Sequence, residues 1–291
     1  MKCFSGSLTR VSIATLLIVV MALLPRTAIA APTVALGPRT SEAFDRYAAL
    51  TQKKFQSQLT ASGPFLWIDT LPSSPRNADY ASLRAGNVVI EEMATLDGGR
   101  PIAVPGGIIH HWIATVFIPG ATLEETLSLE QDYDHHQIYF QPDVVRSRLL
   151  HRNGDDFDIY LRLQKTKIIT VVLDTEHEVH YETISATRAA SWSRATRIQQ
   201  VENAGTPTER LDPPGQDNGF LWGMNTYWKF EQKDGGTYVE SQSVSLTRDI
   251  PFGLGWMIGP FVESVPRESL TFTLAATRAA VLARMAHQSA R

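Results

Sequence analysis

The sequence predicts an α+β fold in which one long C-terminal helix closes over an antiparallel sheet. Three observations carry this. Almost everything between residues 87 and 248 reads as strand. The strands follow one another through explicit turns, with no crossover helices between them. The chain then ends in a helix opened by Pro266, in which Leu270, Leu274, Val281 and Met285 share a narrow arc at about 100° per residue. A helix with that stripe hides it against a sheet, and the apolar space between the two layers is where function is expected.

Residues 1–30 read as a signal peptide. Lys2 and Arg10 make a basic start, Val11 to Leu24 is an apolar run, and Ala28-Ile29-Ala30 supplies the small residues of a cleavage site. The run is shorter than the roughly 20 residues that span a bilayer, so removal after Ala30 is expected, with a periplasmic or extracellular destination. The single cysteine, Cys3, leaves with that segment, so no disulfide, thiol nucleophile or thiolate metal site is expected. The whole chain has 27 basic and 30 acidic side chains and a net charge of −3. Losing Lys2, Arg10 and Arg26 makes it more acidic, which argues against nucleic acid and against polybasic membrane attachment.

Residues 31–100 read as an N-terminal extension of one helix plus extended segments. Ser41 caps a helix reaching about Leu59, with Phe44, Tyr47, Ala48, Phe55 and Leu59 on one face. Pro64, Pro72 and Pro75 bound a short apolar segment, Phe65 to Leu71. The extension is expected to pack outside the main domain, residues 101–291, and to carry no chemistry.

Asn87 to Ala94, near the end of the extension, and Ile108 to Ile118, in the main domain, read as strands. The second is apolar in both alternating sets, so it is covered on both faces. Thr122-Leu123-Glu124-Glu125 is a capping box opening a helix that ends near Asp132. An extended aromatic link holds Tyr133, Tyr139 and Phe140. Strands then follow over Val144–His151, Phe157–Gln164, Lys167–Asp174, His177–Ile184, Ser191–Glu202, Phe220–Glu231 and Thr237–Arg248. Turns are explicit at Asn153-Gly154-Asp155 and Asp234-Gly235-Gly236. Asn203 to Asn218 is long enough for a flap.

This order resembles the START-like superfamily, also called SRPBCC or helix-grip proteins, and its polyketide cyclase and lipid-transport branch. The residues that carry the resemblance are Gly120-Ala121-Thr122-Leu123-Glu124-Glu125, Asp132-Tyr133-Asp134, and Gln141-Pro142-Asp143-Val144-Val145-Arg146-Ser147-Arg148-Leu149-Leu150. It covers roughly Ile108 to His287. It implies a curved sheet gripping the last helix around an apolar pocket. Carriers, cyclases and regulators share that layout, so it does not choose among functions.

The residues expected to line the pocket are Trp112, Tyr139, Phe140, Trp222, Met224, Trp228, Ser241, Ser243, Phe252 and Trp256. In Phe220 to Phe230 one alternating set is Phe220, Trp222, Met224, Thr226, Trp228 and Phe230, and it should face the C-terminal helix. The next strand alternates Val239, Ser241, Ser243 and Ser245, whose small side chains leave room for a ligand. The segment 250–261 is dense in Phe, Trp, Leu, Gly and Pro and too broken for a long regular helix. It is expected to form a hydrophobic lid with transient membrane contact, Phe252 and Trp256 at its mouth, or else a buried plug. The histidines form no metal motif, and Gly-x-Ser-x-Gly, phosphate loops and dinucleotide fingerprints are absent from the sequence. No metal or cofactor is expected.

The leading expectation is an exported binding or carrier protein for a hydrophobic small molecule or lipid. One alternative is a cyclase- or hydrolase-type enzyme using Asp134 and His135 as an acid-base pair in the same pocket. The other is a structural envelope interaction protein whose pocket is filled by its own side chains.

Overall fold

The computed structural model describes residues 34–250 apart from 61 and 168, the backbone of 255–263, and residues 264–290 in full. The signal-peptide segment and Phe252 lie outside the described residues. In chain order the elements are β1 (Val34–Ala35), α1 (Pro38–Thr60), α2 (Ser73–Arg84), β2 (Val89–Glu92), β3 (Leu96–Asp97), β4 (Arg100–Pro101) and β5 (Gly107–Pro119). There follow α3 (Leu123–Glu130), α4 (His136–Tyr139), β6 (Val144–Asn153), β7 (Asp156–Thr166), β8 (Thr170–Ser185) and β9 (Arg188–Glu202). Then come β10 (Arg210–Leu211), β11 (Gln216–Asp217), β12 (Gly223–Lys233), β13 (Gly236–Arg248) and α5 (Gly255–Ser289).

The main sheet runs β2-β5-β13-β12-β9-β8-β7-β6, with β10 added against β9, nine strands in all. Every pairing is antiparallel. α5 lies along one face, where Leu270, Leu274 and Val281 join a core with Val116, Ile118, Phe140, Phe230 and Val239. One long C-terminal helix gripped by an antiparallel sheet is the layout that the START-like resemblance implies.

The opposite face is covered by the N-terminal extension. The α1 stripe of Phe44, Tyr47, Phe55 and Leu59 packs with Phe117, Tyr227, Tyr238, Val244 and Leu246. The odd-numbered residues of β12 look polar in sequence, yet Asn225, Tyr227, Lys229 and Glu231 are all buried. Their charges are paired across strands: Lys229 Nζ lies 3.5 Å from Glu240 Oε1, and Glu231 bonds Arg188 at 2.6 Å. Paired charges make that face buriable, because an unpaired one would cost several kcal/mol.

Several elements differ from the sequence reading. Residues 170–185 form one strand, not two. The sequence reading ends one strand at Asp174 and begins the next at His177, but the Asp174 carboxylate takes both Arg162 Nε and Nη2 (2.7 and 2.9 Å) and Thr175 Oγ1 donates to Leu161 O, so these polar groups are satisfied within the sheet. The irregularity there is a register shift at Glu176/His177. The aromatic link is helical, with a 3-10 turn at Tyr133–His135 leading into α4. Ser147 pins it by exchanging bonds with Gln137. The helix α2 was not anticipated, and residues 67–70 form a 3-10 turn. The 203–218 stretch is no free flap: β10 and β11 tie it to β9 and β1. Most notably, α5 starts at Gly255, upstream of both Pro260 and Pro266. Each proline removes one backbone donor, a local loss that the rest of a 35-residue helix outlasts.

Candidate functional site

The sheet face beneath α5 is built from aligned rows. Antiparallel register sets Tyr181, Ser191, Trp228, Ser241 and Ala114 side by side across β8, β9, β12, β13 and β5. The next row is Val179, Ser193, Thr226, Ser243 and Trp112, and beyond it Met224 faces Ser245 and His110. Trp228 is therefore flanked on both sides by serines, Ser191 and Ser241, while Trp112 and Met224 each meet one, Ser243 and Ser245. That follows from alternation: Ser191 and Ser193, and Ser241, Ser243 and Ser245, recur every second residue on the two strands that sandwich β12.

The hydroxyls are partly tied to one another. Ser193 Oγ and Thr226 Oγ1 are 2.8 Å apart, and Trp228 Nε1 donates to Thr226 Oγ1 at 3.2 Å. His110 Nε2 reaches Thr247 Oγ1 at 3.1 Å. Ser241 Oγ is fully buried and has no hydrogen-bond partner. By contrast Trp112, Met224 and Trp228 remain half-buried, although they occupy central strands of a covered sheet. Arg267 of α5 lies 6.0 Å over the Trp112 ring, and the Trp228 ring stacks on Phe230 at 6.1 Å.

The predicted site residues divide. Trp112, Met224, Trp228, Ser241 and Ser243 lie together on this wall. Trp222 does not: it precedes the first residue of β12, packs with the α1 core, and donates Nε1–H to Asp217 at 2.9 Å. The chain bends at Trp222 and the strand begins only at Gly223, so the alternation on which its placement rested does not reach it. Phe140 is a buried core residue at the α5 seam. Tyr139 belongs to a polar tie, donating to Asp132 Oδ2 at 2.7 Å beneath the guanidinium of Arg284. Trp256 falls within the backbone of α5, where a loop was expected.

Asp134 and His135 serve different partners. His135 Nδ1 is 2.6 Å from Asp132 Oδ1, while Asp134 Oδ1 accepts the Leu149 N–H at 2.9 Å. Both side chains are exposed. This is a surface arrangement that fastens α4 to β6.

Sequence reasoning missed the residues that do sit in the interior. Glu130, the last residue of α3, is buried and accepts from Thr277 of α5 at 2.9 Å; burial raises its carboxyl to about 7. Beside it Tyr133 and Tyr181 share a 2.8 Å bond, and His136 Nε2 reaches Glu130 O at 3.1 Å. His136 and His177 are both held down to about 4 by burial. The Glu in a capping-box helix looked like a solvated acid, and nothing local marks it otherwise. Among the described residues no group of three or more His, Cys, Asp or Glu is placed to hold a metal ion, and no helix is long and apolar enough to cross a membrane.

On the opposite face, between α1 and strands β8 and β9, lies a cavity of about 800 Å³. Phe44, Ala48, Trp192, Trp222 and Asn225 form its floor. A second, of about 300 Å³, lies further along α1 beside Lys229 and Gln242.

No model of a protein family matches the sequence, and neither does any curated protein. Among solved structures, the chain is similar to a STAR-related lipid transfer protein from Xanthomonas axonopodis at 17% identity and a TM-score of 0.39, over 65% of this chain and 98% of that one. It is similar to the Zhui aromatase/cyclase of a Streptomyces species at 12% identity and 0.40, over 61% and 96%. It is similar to human STARD10 at 7% and 0.41, over 76% and 86%. Likeness at this level says nothing about residues or ligands, so the site is read from this chain's own side chains.

Proposed function

We propose that this chain is an exported carrier that holds a hydrophobic small molecule or lipid between the sheet and the C-terminal helix. One observation carries the reading: Trp112, Met224 and Trp228 stand half-buried on the sheet face beneath α5, flanked by serines and a threonine. Central positions of a covered sheet ordinarily close on their neighbours, and these stay open because the residues beside them are small. Apolar surface left there gains about 25 cal/mol per Å² when a ligand takes it from water. The hydroxyls of Ser193, Thr226 and Ser243, which are only half-buried, would orient a polar end. Export rests on the segment up to Ala30 and predicts a mature N-terminus at Ala31.

The test is binding of a fluorescent nitrobenzoxadiazole-labelled fatty acid, alongside mass spectrometry of organic extracts of the natively purified protein. Wild type should bind the probe, and Ser193→Phe, which fills the space beside Thr226, should bind at least tenfold more weakly with an unchanged cooperative melt. No probe binding and no extracted ligand in wild type, or equal binding by the folded filled variant, would overturn the reading.

A further inference from the structure

The cavity under α1 is separated from the proposed lipid site by the full thickness of the sheet. Its floor presents the indoles of Trp192 and Trp222 and the ring of Phe44. The Trp192 ring lies against Phe55 on one side, at 6.3 Å, and His180 on another, at 4.5 Å, so its position is fixed before any ligand arrives. At about 800 Å³ the space is large enough for a drug-sized molecule.

The rim is unbalanced in charge. Asp45 on α1 and Asp156, Asp158 and Glu178 on the sheet supply four carboxylates, against one guanidinium, Arg194, and one imidazole, His180. Glu178 is paired with Arg194 at 3.0 Å, and Asp156 with His180 at 2.6 Å. Asp45 and Asp158 have no ion-pair partner among the described residues. Asp158 also stands directly across from Glu178 in the β7–β8 register, an arrangement of like charges that weakens a sheet. A cation in the cavity would relieve it. Aromatic faces below and surplus carboxylates above attract one chemistry together: the rings take an apolar body and favour positive charge near their faces, and the acids supply the counter-charge.

We propose that the cavity between α1 and strands β8 and β9 is a second ligand site, and that it takes a hydrophobic organic cation. It does not rest on the carrier reading: the strand residues Val179 and Ser193 border both sites, but the rings and acids invoked here belong to other residues, in the register sets that alternate with the carrier wall.

The test compares tetraphenylphosphonium with tetraphenylborate, two ions of one shape and opposite charge, by isothermal titration at low and moderate salt. Wild type should bind the phosphonium at least tenfold more tightly than the borate, and added salt should weaken it. Asp45→Asn with Asp158→Asn, both at exposed positions, should lower phosphonium affinity about tenfold while the melting temperature holds. Ala49→Trp, on the exposed flank of α1, should block both ions. Ser243→Phe, on the carrier wall and outside the lining of this cavity, should leave phosphonium binding within twofold and so separates the two sites. The proposal is overturned if the phosphonium does not bind wild type, if the borate binds equally, or if the double Asn variant, folded, binds like wild type.

Discussion

The phenol oxygen of Tyr47 lies 2.8 Å from Nδ1 of His111, joining the first helix to the second strand of the main sheet. The same oxygen accepts the Thr95 N–H at 2.7 Å, which leaves its proton for the imidazole. All three groups are buried, so the phenol satisfies two partners where water does not reach. Tyr47→Phe should cost about 1–3 kcal/mol, seen as a lower urea midpoint with an unchanged slope. A midpoint equal to wild type would mean that α1 is held by its apolar stripe alone.

Burial of neutral histidines sets the acid limit of the fold. His111, His136 and His177 are all held to about 4, chiefly by desolvation, against an ordinary value near 6.5. The unfolded chain therefore binds more protons than the folded one between these values. Stability is fully present above about pH 6.5 and is lost as pH falls toward 4. His177→Gln should remove up to about 3 kcal/mol of that dependence, read as a shallower fall of the urea midpoint over this window.

Glu130 has the opposite sign. Its folded value is raised to about 7 from an ordinary 4.5, so the folded chain holds the extra proton. Its contribution is fully present below about pH 4.5 and is lost as pH rises to about 7. Glu130→Gln keeps an acceptor for the Thr277 hydroxyl and removes the titration. The variant should gain on wild type by about 1–3 kcal/mol between pH 4.5 and 7 and run parallel to it above. A constant difference across that range would show that Glu130 titrates normally in the fold.

At Gly223 the sheet lies close beneath the Phe44 ring of α1. A β-carbon there would stand 2.5 Å from Phe44 Cε1, inside van der Waals contact with a buried ring. Gly223→Ala should therefore lift Phe44 and cost about 1–3 kcal/mol. Gly154→Ala is the control for handling: its β-carbon meets nothing within 4 Å, although its φ of +61° strains any side chain. Only the first should increase the proteolytic sensitivity of residues 38–60.

Alternation made much of this fold legible. β5 is read correctly because both of its alternating sets are apolar, and β13, like β12 from Met224 onward, because a two-residue period runs through it; the capping box at Thr122 forms with both reciprocal bonds. Where reading failed, a distant partner had changed the meaning of a residue. Lys229, Glu231 and Glu240 made one face of the sheet look wet, and only the fold shows the pairing that lets α1 bury it. Asp174 reads as the end of a strand, but Arg162 meets it from the neighbouring strand so that the strand runs on. For the candidate site, the serines beside Trp228 were visible on one flank as Ser241 and Ser243. Ser191 and Ser193 on the other flank were not singled out, because strand order is not written in any local pattern. Glu130 was invisible for the same reason, since Thr277 meets it from the far end of the chain.

The pairing of β5 with β13, from Gly107 opposite Arg248 to Pro119 opposite Gly236, has a consequence for how the molecule is made. Every strand of the meander is synthesised between these two, so the joint two strands in from the β2 edge closes only after the last strand has left the ribosome. Until then α1 has no seat, because Tyr227, Val244 and Leu246 on which it rests arrive late as well. A nascent chain stopped short of Gly236 cannot join β2 and β5 to the rest of the sheet, and the apolar stripe of its first helix waits uncovered through most of translation.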